Sequence, residues 1–413
     1  MRVWMFVGKQ VAIPMFSRFA QLLIAVFVFL STSLPGWAQH PHASANRRPQ
    51  LSMGASFSPD GRLWVVGLNA SGKLFVQHTA FPGPAQFSPP QLLDTGSDEI
   101  SADGENRPKI AWGPNGWVVI SYTQPLSKPY TGNIRMLRSD DGGKTFGLPF
   151  TVHDDRQLIT HRFESIAFDK QGNLFTLWVD KRDQPPKGSG VDYPGAAIYR
   201  KVSKDGGKTF GEDQKLADHS CECCRIAITS NGQGKLFGVW RHVFGSQTRD
   251  HAFAELAGPT NKIVRASWDE WDINACPHHG PGLAFAPARD SSPEGFHMVW
   301  FGLREKVGAV RYARLDALGH PIATTLRKLP DAGAEHADVM AEGDRVVIVW
   351  RVFEAGKTFL KTWQSEDGGA NFKLSVLAES TGANDHPRLV QRKGDMAVVW
   401  RTLEKVNVYE ITR

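Results

Sequence analysis

Cysteine is scarce in this 413-residue chain: there are four, and none precedes Cys221. That excludes a lipid-modified cysteine anchor behind an N-terminal leader. Acidic residues are absent from the first 38 positions. Long apolar runs are absent as well, since the stretch from Leu22 to Leu30 falls far short of the roughly 20 residues that span a bilayer. No membrane span is therefore expected after that stretch. There is no short-period bias of the kind that marks a collagen or a coiled coil. What is present is 41% apolar residues, 13 Trp, 24 Phe, 40 Gly and 25 Pro. Aromatics suit pleated surfaces and Gly and Pro punctuate them, so the expectation is an all-β chain of many short strands.

The net charge of +6 is partly a targeting signal. Residues 1–38 carry Arg2, Lys9 and Arg18, then the apolar run, then Gly36-Trp37-Ala38, with small residues where a signal peptidase reads. This predicts a cleaved secretory signal peptide over 1–38, an exported (periplasmic or secreted) protein, and a single domain over 39–413. Without the three leader cations, 45 basic residues stand against 42 acidic ones. A charge near +3 gives no reason to expect a nucleic-acid partner.

A unit repeats through the remaining chain: a short apolar strand, a turn closing on Gly, then a strand with an aromatic near its end. The glycines are Gly61, Gly116, Gly172, Gly232, Gly295, Gly343 and Gly394, and the second strands end on Tyr122, Trp178, Trp240, Trp300, Trp350 and Trp400. A third strand follows, as at Asn133 to Arg138, and a fourth, as at Pro149 to His153. Four antiparallel strands per unit at a period of about 55 residues describe the blades of a β-propeller. Seven first strands point to seven blades. The last unit, Arg388 to Arg413, has room for three strands, so residues near His42 to Arg48 are expected to supply the fourth.

Three third strands run into nearly one string: S-D-D-G-G-K-T-F at Ser139 to Phe146, S-K-D-G-G-K-T-F at Ser203 to Phe210 and S-E-D-G-G-A-N-F at Ser365 to Phe372. An Asp carboxylate can accept backbone N–H bonds across such a turn, and paired Gly supply positive φ angles. The string resembles the Asp-box, or BNR repeat, of the sialidase superfamily. That resemblance implies a propeller of the same kind, six-bladed in the family's sialidases.

In a propeller the first strands line the central channel, so the loops leading into them converge on one rim. These lead-in loops hold Asn106-Arg107-Pro108, His161-Arg162-Phe163-Glu164, His219 to Arg225, Cys276-Pro277-His278-His279, Glu335-His336-Ala337-Asp338 and Asp385-His386-Pro387-Arg388. All four cysteines lie there. Thiolates and imidazoles are the donors that copper and zinc select. The candidate ligands are Cys221, Cys223, Cys224, Cys276, His161, His278, His279, His336 and His386. Copper is favoured because thiolate and imidazole together suit it; His40 and His42 would add a copper-binding arm. No organic cofactor is expected.

Two other readings stand beside metal handling or metal-dependent chemistry. The family resemblance implies an exo-acting sialidase, with Arg107, Arg162, Arg225 and Arg388 as clamps for a substrate carboxylate and Glu164 with Tyr199 or Tyr312 as the nucleophile pair. The glycan would then sit at the same rim. No tyrosine stands on a lead-in loop, and the family's Arg-Ile-Pro motif has only loose counterparts at Arg48-Pro49 and Arg107-Pro108. The third reading is a protein-binding propeller with an exported partner, its cysteines joined as structural disulfides.

Overall fold

The computed structural model describes residues 49–186, 188–275, 277–289 and 293–412. These form seven antiparallel sheets in chain order. The first four blades are β1 (Gly54–Phe57), β2 (Leu63–Leu68), β3 (Leu74–Thr79) and β4 (Gln91–Leu92); β5 (Lys109–Trp112), β6 (Val118–Pro125), β7 (Gly132–Ser139) and β8 (Phe150–Thr151); β9 (His161–Phe168), β10 (Leu174–Asp180), β11 (Ala196–Ser203) and β12 (Gln214–Ser220); and β13 (Ala227–Ser230), β14 (Leu236–Arg241), β15 (His251–Glu255) and β16 (Val264–Arg265). The fifth comprises β17 (Gly282–Ala286), β18 (Gly295–Arg304), β19 (Val307–Asp316) and β20 (Arg327–Lys328). The sixth comprises β21 (Glu335–Glu342), β22 (Arg345–Glu354), β23 (Lys357–Ser365) and β24 (Lys373–Ser380), and the seventh β25 (Arg388–Arg392), β26 (Asp395–Arg401) and β27 (Val406–Ile411). Each first strand lies beside the first strands of both neighbouring blades, with β25 against β1, so the ring closes. The fold is a seven-bladed β-propeller.

The expected extra strand near His42 to Arg48, the leader over 1–38 and the arm with His40 and His42 all lie outside the described residues. Among the described residues the seventh blade has three strands, and no helix is long and apolar enough to cross a membrane.

The aromatics that end the second strands are the most deeply buried side chains, with Tyr122, Trp178 and Trp350 fully shielded from solvent. Five of the six also tie down the rim. Tyr122 donates to Asp98 at 2.7 Å, Trp178 to Asp180 at 2.7 Å, Trp300 to Asp269 at 2.5 Å, Trp350 to Asp331 at 2.8 Å and Trp400 to the carbonyl of Asp385 at 2.9 Å. A buried indole N–H usually finds such a partner; that of Trp240 has none among the described residues. The cores form between adjacent blades. Met53, Leu63, Val65 and Phe75 of the first meet Val390, Ala397 and Val399 of the seventh, which seals the ring by apolar burial.

Each of the three S-x-D-G-G turns is held by bonds among its own residues. The Gly143 N–H donates to Ser139 Oγ at 2.9 Å, while Asp141 accepts from the N–H of Thr145 at 2.9 Å and its hydroxyl at 2.6 Å. The same bonds recur around Asp205 and Asp367. Gly206 has φ +70 and packs against the indole of Trp117, where a Cβ would collide. Positive φ and close approach together explain why the position is Gly.

Candidate functional site: the channel mouth and the thiol loop

Two lead-in loops begin with a β-bulge. On β9 the pairing with β10 slips where Phe163 and Glu164 are inserted, and on β21 the pairing with β22 slips between Glu335 and Asp338. Phe163 (φ +57) and His336 (φ +52) sit in the left-handed region at these bulges. That conformation is costly for a side-chain-bearing residue and persists only where surrounding contacts hold it. A bulge re-aims the side chains it carries.

The contacts that hold His336 converge on Glu105, which is buried in the loop before β5. Glu105 Oε1 accepts from Arg225 Nη1 at 2.9 Å and lies 3.1 Å from His336 Nδ1 and 3.5 Å from His386 Nδ1. Oε2 accepts the backbone N–H groups of Arg225 at 3.2 Å and Gly280 at 3.1 Å. Burial raises the Glu105 carboxyl pKa, but Arg225 and the two imidazoles outweigh it and hold it well below the usual range. One carboxylate thus joins the lead-in loops of five blades.

Above Glu105 three imidazoles form a stack. The rings of His336 and His386 have centroids 3.3 Å apart at 13°, and His279 and His336 are 4.5 Å apart at 17°. Burial depresses all three far below the ordinary histidine value, helped by His336 beside His279, His386 beside His336 and Arg351 beside His386. The stack is therefore neutral at pH 7.

Glu105, His336 and His386 have donor atoms close enough to suggest a metal site, but the arrangement is poor for coordination. Parallel rings project parallel lone pairs, which do not meet at one ion. The Arg225 guanidinium already occupies the carboxylate oxygen both imidazoles face, and its charge repels a cation.

The thiols are a different matter. Cys221, Cys223 and Cys224 are 1%, 5% and 3% exposed, and their sulfur atoms gather within 4.8 Å of one another. Sγ of Cys223 is 3.7 Å from that of Cys221 and 3.9 Å from that of Cys224. A disulfide needs about 2.05 Å, so these three are not bonded to one another. Mutual hydrogen bonding with Cys221, together with burial, pushes the Cys224 thiol well above its usual value. Cys276 lies outside the described residues.

The structure thus separates the expected donors into two groups, thiols on one loop and imidazoles at the mouth. His161 joins neither: it stacks on His153 at 3.9 Å and bonds to Gly132 and Asp155. His278 is exposed. The cations of the mouth each face one carboxylate: Arg107 with Asp385 at 3.2 Å, Lys109 with Glu164 at 3.4 Å, Arg162 with Asp103 at 3.6 Å, Arg225 with Glu105, Arg351 with Glu335 at 2.8 Å and Arg388 with Asp338 at 3.2 Å. Glu164 does not meet either tyrosine. It accepts from Thr123 at 2.9 Å and Ser121 at 3.2 Å, whereas the Tyr199 hydroxyl donates to Asp183 and that of Tyr312 lies 2.8 Å from His297 Nδ1. Both tyrosines stand on third strands, outside the channel-lining layer. The residue missing from the expected set is Glu105; its sole sequence signal is its place beside Asn106-Arg107 in a lead-in loop.

No protein-family model and no curated protein sequence matches the chain. Among solved structures it is similar to an ulvan lyase of polysaccharide lyase family PL25, with TM-score 0.56 and 12% identity over 86% of this chain and 91% of that one. It is also similar to a mutant α-L-arabinofuranosidase from Fusarium graminearum, with TM-score 0.52 and 13% identity over 80% and 93%. A mutant NanB sialidase from Streptococcus pneumoniae aligns with TM-score 0.47 and 11% identity over 84% and 82%. The likeness is one of fold.

Proposed function

We propose that this chain is a metal-binding propeller in which Cys221, Cys223 and Cys224 hold one thiophilic transition ion, zinc or copper. The observation that carries this reading is the sulfur spacing of 3.7 and 3.9 Å. Metal–sulfur bonds of about 2.3 Å in a tetrahedral set put sulfurs about 3.8 Å apart. Three thiolates complete a trigonal copper(I) site or leave one position of a tetrahedral zinc site. The imidazoles that favoured copper stand apart from the thiols, so the sulfur set suits zinc equally well. Its burial favours retention of the ion over capture and hand-over. On this reading the ion is acquired by an exported protein whose leader is residues 1–38.

Elemental analysis of the full chain, purified without chelator and with thiols counted in parallel, tests the reading. One ion per chain is expected, with thiols that react only after chelation, and Cys223→Ser should abolish the ion. Absence of any ion in a chain with oxidised cysteines would overturn it.

A carbohydrate-directed role is a second reading, favoured by the cluster at the channel mouth and by a fold shared with a lyase and a hydrolase that act on glycans. The paired cations bear on its substrate. Arg107 and Arg225 are committed to Asp385 and Glu105, so a sialoside carboxylate would have to displace buried partners. Neutral aryl glycosides are the better first substrates, and release of the aryl group by the native chain but not by His336→Gln would support this role.

A further inference from the structure

We propose that the ion held by Cys221, Cys223 and Cys224 is the support that keeps the imidazole stack in register, acting through Arg225 and Glu105. This rests on the thiol site binding an ion, as proposed above, and it gives that ion a purpose at a second place in the molecule.

The connection is short. Arg225 follows Cys224 directly, and its side chain touches two of the three loops that carry the stack and reaches the third through Glu105. Nε donates to the carbonyl of Pro281 at 3.1 Å, beyond His279; Nη2 donates to the carbonyl of Ala337 at 2.6 Å, beside His336; and Nη1 meets Glu105, which faces His336 and His386. Arg225 packs so closely here that a Cβ on Gly280 would collide with it.

The loop that delivers Arg225 lies outside the strand ladders of its blades. β12 ends at Ser220 and β13 begins at Ala227. Between them, the backbone bonds include Cys221 N–H to the Arg241 carbonyl at 2.9 Å, Ser220 hydroxyl to the Cys221 carbonyl at 3.0 Å, Arg225 N–H to Glu105, and Ser165 hydroxyl to the Ile226 carbonyl at 2.6 Å. Three thiolates on one ion would fix this stretch as a ladder would. His336 has most to lose, because its left-handed backbone needs outside contacts to persist, and the Arg225 bond to Ala337 is one of them. Arg225 is thus a positioning residue, and the ion acts through it.

Histidine acylation by diethyl pyrocarbonate, read residue by residue by mass spectrometry, tests this on the full chain. The rates are compared in zinc-loaded protein, in chelated protein, and in zinc-loaded Arg225→Lys. Chelation should speed acylation of His336 and His386 by about tenfold, the rate equivalent of about 1.4 kcal/mol, roughly what one loosened hydrogen bond is worth. Zinc readdition should reverse it, while His153 and His297, buried elsewhere, stay slow. Zinc-loaded Arg225→Lys should keep its ion yet react as fast as chelated protein, and it decides the matter if chelation exposes His153 and His297 too. Unchanged rates at His336 and His386 in the zinc-loaded variant would overturn the inference and leave the metal site standing. A native chain that takes up no zinc would overturn the metal site itself.

Discussion

Arg225 Nη1 lies 2.9 Å from Glu105 Oε1, a buried ion pair between residues 120 positions apart that binds the lead-in loops of the second and fourth blades. Both charges are out of water, so each depends on the other. Removing one partner of such a pair leaves an uncompensated charge.

Glu105→Gln should therefore destabilise the chain by about 3–5 kcal/mol. Gln keeps the shape and one acceptor but not the charge. Urea unfolding of the two proteins at pH 7 measures the loss; a difference below about 1 kcal/mol would mean that the carbonyls of Pro281 and Ala337 suffice to hold Arg225.

Gly104→Ala probes the same place sterically. Gly104 has φ +86, and a methyl group there would meet the His386 ring. A loss of about 1–3 kcal/mol is expected, with a change in the His386 imidazole resonances that His153 does not share. An unshifted His386 would show that the loop can yield.

Stability should fall with acid before the carboxylates titrate. Burial pushes His153, His242 and His297 down to about 3, aided by His161, His219 and Arg314 respectively. The unfolded chain takes up these protons near pH 6.5 while the folded chain refuses them. Their contribution is complete above that value and is lost as pH falls toward 3. Between pH 6 and pH 5 the three together should remove about 3–4 kcal/mol of unfolding free energy, measurable by urea titration at the two pH values. A flat profile over that interval would contradict the neutral buried state.

Asp205→Ala should cost about 1–2 kcal/mol, screened because the turn faces solvent. Asp205 accepts from the N–H of Lys208 at 3.0 Å, the N–H of Thr209 at 2.9 Å and the Thr209 hydroxyl at 2.6 Å. Thermal unfolding of the variant checks it, and an unchanged midpoint would reduce the repeated turn to a passive connection.

Much of this molecule is legible from residue order, and the exceptions have physical reasons. Trp178, Trp240 and Trp350 mark the ends of β10, β14 and β22 to within a few residues, because an apolar strand between Gly turns has few alternatives. Seven blades follow from seven such strands, where the family resemblance alone suggested six. The convergence of His279, His336 and His386 also follows from the repeat. Their separation from the thiols does not, since both groups share the lead-in position and differ only in the direction their side chains take. Glu105 was invisible for a related reason: one acid in a loop that also carries Asp98, Glu99 and Asp103 reads as solvated until its partners, up to 281 positions away, are placed.

Those partners also set an order of assembly. Glu105 emerges from the ribosome early, Arg225 and Gly280 later, His336 later still and His386 almost last. Until the seventh blade docks against the first, a carboxylate destined for burial lacks part of its shell. The channel mouth is thus completed only with the final blade, and a chain that stops short of that blade would carry every thiol of the metal loop without the site that loop is proposed to support.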